Sequence, residues 1–195
     1  MLHLMYSWAD TDILVMNPNI PVDIFLPPED FPDVELIIAN DFSGLNTGFF
    51  LIKVSQWSMR FMVDISSYKT YRGNIGYAEQ GAMNYFLKNT PGYAEKAAIV
   101  PQRWFNAYHG PERTEDGVPA ANATKTLNAI KHYHFGDLNV HFAGGGKAFM
   151  LDFLKLAQQH RPEIELPLEA TTYPQDIATY WEKLRAERAH QAEDR

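Results

Sequence analysis

The 195-residue chain contains no cysteine, which excludes disulfides and thiolate metal sites but leaves the redox compartment open. It has no block of lysine and arginine. With 17 basic against 24 acidic residues its formal charge is −7, which argues against nucleic acid as a partner. No apolar run approaches the roughly 20 residues that span a bilayer. The first residues lack the basic-then-apolar order of a secretory signal. Internal repeats and low-complexity tracts are missing as well.

What is present is ordinary for a globular domain, 46% hydrophobic and 21% charged. A chain of this length buries roughly 70% of the surface of its unfolded form, enough to hold together without staples. Aromatics are plentiful. Trp8, Trp57, Trp104, Tyr108 and Tyr133 stand near polar residues, a placing that suits carbohydrate faces and ordinary cores alike. Asn122-Ala123-Thr124 is a glycosylation sequon.

Apolar periodicity predicts an alternation of strands and helices. Leu2 to Tyr6 reads as a strand leading into an aspartate pair, and Val34 to Ala39 as a buried strand ending at Asn40-Asp41. A turn over Ser43 to Gly48 precedes a strand from Phe49 to Val54. Ser55 then caps a helix whose face carries Trp57, Phe61, Met62 and Ile65. Further helices are expected from Tyr77 to Leu87, from Lys147 to His160 and from Pro174 to about His190, the last solvated and peripheral. Strands are expected at Ala97–Val100 and Leu138–Ala143, with a polar surface loop over 110–128 between them. The prolines from Pro18 to Pro32 mark a loop-rich stretch, because proline removes ladder donors.

Chemistry concentrates in Trp8-Ala9-Asp10-Thr11-Asp12, followed by Ile13-Leu14-Val15-Met16. Acid-x-acid spacing alone says little, since Asp33-Val34-Glu35 and Glu163-Ile164-Glu165 share it. Asp10 and Asp12 differ in being wedged between apolar segments. Two carboxylates there repel each other and are costly to desolvate. A hard divalent cation, Mn²⁺ or Mg²⁺, would neutralise them. The alternative is a strand-end turn with both side chains in water. His141 lies in an apolar strand that runs into Gly144-Gly145-Gly146 and Lys147. A lone histidine in such a strand is more often a hydrogen-bonded core residue. The glycines, however, let backbone come close to a bound group, and the lysine can meet a phosphate. The run lacks the P-loop pattern. His132 and His134 read as surface residues. Together these parts point to a cation on Asp10 and Asp12, shared with His141, that bridges the diphosphate of a nucleotide sugar as a Lewis acid. Lys147 would add positive charge where negative charge develops.

The order of Asp-Thr-Asp before Ile-Leu-Val-Met-Asn-Pro, Leu-Asn-Thr-Gly-Phe-Phe-Leu-Ile (45–52), Glu-Gln-Gly-Ala (79–82), Val-Pro-Gln-Arg-Trp-Phe-Asn-Ala-Tyr (100–108) and Gly-Asp-Leu-Asn-Val-His-Phe-Ala-Gly (136–144) resembles glycosyltransferase family 34. It is most similar to the fungal branch of α-galactosyltransferases and α-1,6-mannosyltransferase subunits, over most of residues 8–160. The resemblance implies an α/β fold of GT-A type, a mixed sheet flanked by helices, with Mn²⁺ (or Mg²⁺) as cofactor. It implies a retaining hexosyl transfer, galactosyl or mannosyl, from UDP-galactose or GDP-mannose to a glycan acceptor. It also implies a Golgi type II membrane protein with other glycosyltransferase subunits as partners. By position, Asp10 and Asp12 match the family's Asp-x-Asp, His141 its C-terminal metal ligand and Lys147 its phosphate-binding lysine. Glu79 and Gln80 match the acidic-Gln pair beside the donor sugar, the expected catalytic residues. Asp41 and Asn46 fall where sugar and acceptor are held.

Family members carry a tail, an anchor, a stem and the first nucleotide-binding strands ahead of the aspartate pair. The chain is therefore expected to be a partial catalytic domain over 1–165, missing those strands, with 166–195 a peripheral helical extension. A non-catalytic fragment, or a scaffold subunit of a Golgi transferase complex, is the alternative. A glycoside hydrolase would need carboxyls about 5–10 Å apart across the sugar bond. The Asp10/Asp12 pair is too tight for that.

Overall fold

The structure, a computed structural model, describes residues 4–76, 78–109 and 132–193. The sequon and the expected loop over 110–128 lie outside the described residues, as do Leu2 and Tyr77. Among the described residues, strands β1 (Met5–Ala9), β4 (Gly44–Lys53), β3 (Leu36–Asp41) and β5 (Ala97–Val100) form one sheet in that order. β1, β4 and β3 run antiparallel, and β3 pairs parallel with β5. A smaller sheet pairs β2 (Ile13–Val15) with β6 (Asn139–His141). The mixed sheet flanked by helices is the expected α/β arrangement.

Side chains alternate across the large sheet, as the period of two requires. Leu36, Ile38 and Phe50 point to one face, where α1 (Gln56–Arg72) and α2 (Ala78–Asn89) supply Phe61, Met83 and Leu87. Ile37, Ala39, Phe49 and Leu51 point to the other, packed on Phe25, Phe31 and on Trp104 and Phe105 of α3 (Gln102–Phe105). A third cluster closes the small sheet: Val140 and Phe142 meet Phe153 and Leu156 of α4 (Met150–Gln159) and Ile164 of α5 (Arg161–Ile164).

The predicted cap of α1 is present. Ser55 accepts from Ser58 N at 3.1 Å while Ser58 Oγ accepts from Ser55 N at 3.0 Å, a capping box with serine in the usual Glu position. Two expected boundaries in the large sheet need correction. The first strand starts at Met5 and runs on to Ala9, because its ladder partner is the stretch from Phe49 to Lys53. The turn expected over Ser43 to Gly48 is much tighter. Ser43 N and Oγ both donate to Asp41 Oδ1 at 2.6 Å, and strand β4 has begun by Gly44.

The last helix, α6 (Tyr173–Glu193), is solvated on one side only. It is not peripheral to the core: Tyr173 and Trp181 are buried in the cluster of Phe25, Phe31 and Trp104. A polar clamp adds to the packing. Arg103 bonds Thr172 Oγ1 at 2.7 Å and Asp176 Oδ2 at 3.2 Å, and its Nε lies 3.5 Å from Asp137 Oδ1. Burial pushes the Asp137 carboxyl up to about 7, against the pull of Arg103.

Trp181→Ala is expected to cost about 3–5 kcal/mol, the usual range for emptying a buried aromatic site; urea unfolding measures it, and a loss below 1 kcal/mol would return α6 to the periphery. The raised Asp137 pKa means the folded state holds a proton that the unfolded state has released between about pH 4 and 7. The wild type should therefore lose stability relative to Asp137→Asn as pH rises through that window, whatever the offset between the two proteins. Denaturation of both at pH 5 and pH 7.5 measures the difference.

Candidate active site

The Asp-x-Asp segment is the turn by which the chain leaves the large sheet. Ala9 pairs with Phe49, and the next amide, Asp10 N, donates to Gly48 O at 2.8 Å. Asp10 O then accepts from Ile13 N at 3.1 Å and passes the chain to β2. β2 lies against β6 with Ile13 opposite His141, and Phe142 N donates to Asp12 O at 2.9 Å. The register of this short ladder brings His141 back to the aspartates. One ligand atom each of Asp10, Asp12 and His141 lie within 4.8 Å of one another. Two carboxylates and an imidazole at this spacing fit a divalent cation; the oxygens favour Mn²⁺ or Mg²⁺, and the nitrogen leans to the transition metal of the two.

His141 is buried, and its Nε2 lies 3.5 Å from Asp12 Oδ1. Burial holds its pKa below the usual range and outweighs the opposing pull of Asp12, Asp10 and Asp41. The ring is thus neutral at neutral pH, the form that ligates metals. Its Nδ1 meets Asn106 Oδ1. Trp8 Nε1 donates to Asp10 Oδ1 at 2.9 Å, and Lys147 Nζ stands 3.3 Å from Asp12 Oδ2.

A backbone irregularity makes room for the imidazole. Ile38 pairs with Phe50, but the next residue, Ala39, pairs with Asn46, so Thr47, Gly48 and Phe49 bulge from β4. Gly48 comes to rest under His141. A Cβ there would sit 2.4 Å from His141 Cε1 and 2.8 Å from Nδ1, so only glycine permits the approach.

The cluster opens into a cavity of about 800 Å³, lined also by Asp41, Asn46, Glu79, Gln80 and Tyr108. Seven of the expected site residues, Asp10, Asp12, Asp41, Asn46, Glu79, Gln80 and His141, line this one cavity; Lys147 stands beside it on Asp12. Glu79 and Gln80 sit at the start of α2, next to Ala78, whose φ of +43° is a left-handed conformation rare outside glycine. Gln80 Oε1 accepts from Thr47 N at 3.4 Å. Burial would raise the Asp41 pKa, but hydrogen bonds from Ser43, Tyr108 and Asn46 outweigh it and hold the carboxylate below its usual range. Burial and Asp41 push the Tyr108 hydroxyl upward, so it stays protonated.

His132 and His134 are not surface residues. His132 lines the cavity, and His134 is half-buried with its Nδ1 2.9 Å from Arg103. Sequence reasoning passed over Gly48 and Asn106, and named Tyr108 only as one of several aromatics near polar residues. Each lies inside a quoted motif, but only the folded register reveals its neighbour.

Comparisons with known proteins give the family. Residues 28–149 match the galactosyl transferase GMA12/MNN10 family, and the chain belongs to it. The match spans Asp41, Asn46, Glu79, Gln80, His141 and Lys147, while Asp10 and Asp12 lie ahead of it. An alpha-1,2-galactosyltransferase of Schizosaccharomyces pombe is 34% identical over 184 residues, covering 77% of this chain and 44% of that protein. A probable alpha-1,6-mannosyltransferase of Saccharomyces cerevisiae, MNN10, is 31% identical over 106 residues, covering 51% of this chain and 26% of that protein. The chain thus spans less than half the length of these relatives. A solved glycosyltransferase involved in the glycosylation of the major capsid of PBCV-1 superposes with a TM-score of 0.49 at 15% identity, over 79% of this chain and 66% of that one.

Gly48 has an ordinary negative-φ or extended backbone, so alanine meets no conformational barrier there. Gly48→Ala should therefore fold but displace His141. Mn²⁺ affinity is expected to fall by about 10-fold or more, in the range that disturbing a ligand's support produces. Calorimetric titration reads this; wild-type affinity would remove His141 from the ligand set.

Proposed function

We propose that the chain carries the reaction centre of a retaining, metal-dependent hexosyltransferase. It would move galactose or mannose from UDP-galactose or GDP-mannose to a hydroxyl of a glycan acceptor. The observation that carries this reading is the convergence of Asp10, Asp12 and His141, with ligand atoms within 4.8 Å, at a cavity that Glu79, Gln80, Asp41 and Asn46 also line. Family membership supports the transferase class, and the relatives' names support either sugar.

Each residue is assigned a role in this reading. Asp10, Asp12 and His141 would hold Mn²⁺ or Mg²⁺. A bound cation supplies Lewis-acid neutralisation of the leaving diphosphate. Lys147, whose side chain is 61% exposed, is long enough to turn from Asp12 to a phosphate oxygen and add charge there. Glu79 and Gln80 face the sugar across the cavity and support the positive charge it develops. Asp41 is fully engaged by its donors, so it acts by fixing Ser43, Asn46 and Tyr108 as the surface that meets sugar hydroxyls. The acceptor hydroxyl would attack the sugar carbon on the face the diphosphate leaves and give its proton to the departing phosphate, so neither a protein nucleophile nor a protein base is needed. We place this activity in Golgi glycan elongation, in company with other transferase subunits, on the strength of the family resemblance. No described helix is long and apolar enough to cross a membrane.

Asp12→Ala should leave the melting temperature near that of the wild type and abolish Mn²⁺-dependent binding of UDP or GDP. Transfer should fall by more than the about 10–100-fold that losing an outer-shell partner costs. Calorimetry with each nucleotide, with and without Mn²⁺, reads the first, and sugar release from each donor the second. Turnover indifferent to a chelator would overturn the metal reading. A folded wild-type chain that binds neither nucleotide would instead mark a scaffold.

A further inference from the structure

Metal-ligating histidines depend on which ring nitrogen carries the proton, and that is set by the partner of the other nitrogen. Here the partner is Asn106, 1% exposed, whose amide could in principle face His141 with either its oxygen or its NH₂. The surrounding hydrogen bonds remove the ambiguity, beginning at a residue that does not touch the metal cluster.

That residue is Asp41. An ionised carboxylate only accepts. Ser43 N and Ser43 Oγ donate to its Oδ1, each at 2.6 Å. Asn46 Nδ2 donates to Oδ2 at 2.8 Å, and this amide cannot be reversed, because its Oδ1 accepts from Gly48 N at 2.8 Å. Tyr108 OH also reaches Oδ2, at 2.6 Å, and must spend its one proton there. Toward Asn106, then, the Tyr108 oxygen has only a lone pair to offer. Asn106 Nδ2 donates to it at 3.4 Å. The amide oxygen of Asn106 consequently faces His141 Nδ1, which must carry the ring proton. The Nε2 lone pair is left directed toward Asp12 Oδ1, 3.5 Å away. A bare nitrogen lone pair opposite a carboxylate oxygen is repulsive unless a cation lies between them.

We propose that Asp41, through Tyr108 and Asn106, sets the ring tautomer of His141 and so prepares its Nε2 to bind the metal. Asn106 and Tyr108 are positioning residues, and Asp41 joins the sugar-facing side of the cavity to the ion-facing side by proton direction alone. The inference rests on the metal reading of Asp10, Asp12 and His141 and deepens it.

The test reads the tautomer directly, in the metal-free chain, from the ¹⁵N shifts of the His141 ring. The wild type should show a protonated Nδ1 and a bare Nε2. Asn106→Asp, which can only accept, should keep that pattern and bind Mn²⁺ within a few-fold of the wild type. Asn106→Ala should lose the preference. Asp41→Asn places a donor opposite the Tyr108 oxygen, so the Nε2-protonated form should appear, and Mn²⁺ affinity should fall by about 10–100-fold although residue 41 touches no ligand atom. Thermal melts verify that each variant is folded; should Asn106→Ala fail to fold, the Asp41→Asn spectrum decides alone. A wild type protonated at Nε2, or an Asp41→Asn spectrum identical to the wild type, would overturn the proposal. Failure of the wild type to bind Mn²⁺ would sink the metal reading separately, while the tautomer spectrum would still decide whether the relay exists.

Discussion

The ladder between β2 and β6 is the interaction on which the site depends. Three residues on each side pair, with Ile13 opposite His141, and the backbone bond from Phe142 to Asp12 continues the pairing by one step. Met16 N and Asn17 N, both donating to Leu138 O at 2.9 and 3.2 Å, extend the tie beyond the ladder. The ladder is short, and it holds because β6 is buried, with Val140 and Phe142 packed against α4 and α5, while β2 lies half-buried over it with Leu14 on that cluster and Val15 exposed. Slipping it by one residue would turn His141 to the other face, since side chains alternate.

The electrostatic problem this creates explains much of the surroundings. Asp12 is only 9% exposed, and Asp10 lies close by. Two such carboxylates need positive charge or donors. Trp8 and Lys147 supply a hydrogen bond and an ammonium, one to each aspartate. Both contacts are at the rim, where they are modest in strength. The strongest neutralising partner this geometry admits is a divalent cation, which accords with the proposed chemistry. Asp41 is treated differently: four donors from three residues satisfy it. The same residue type is thus left open to a ligand on one wall of the cavity and closed off by donors on the other.

Much of this was legible in the sequence. The periodicity of Ile37, Ile38, Phe49 and Leu51 announced buried strands, and the Ala97–Val100 strand ends where Pro101 requires. The serine at 55 announced its helix. Asp10, Asp12 and His141 could be picked out because charge amid apolar sequence is expensive and invites explanation. The bulge at Thr47–Phe49 could not, because it arises from mismatch between two strands and leaves no periodic trace. Asn106 was equally silent: an asparagine in an apolar stretch reads as a turn residue until the histidine beside it is known. The packing of α6 was misjudged because its buried residues, Tyr173 and Trp181, are sparse among many charges. A helix can be anchored by a few large aromatic rings while most of its surface stays wet.

The chain passes from one sheet to the other within Asp10-Thr11-Asp12. Asp10 is tethered by its amide to Gly48 in the four-stranded sheet, whereas His141 belongs to the two-stranded one. An ion gripped by both would therefore work as a rivet through two plates. Loading it would stiffen the seam and lift the melting point in proportion to the logarithm of its concentration above saturation. Cofactor supply and mechanical integrity would then become one variable at this seam.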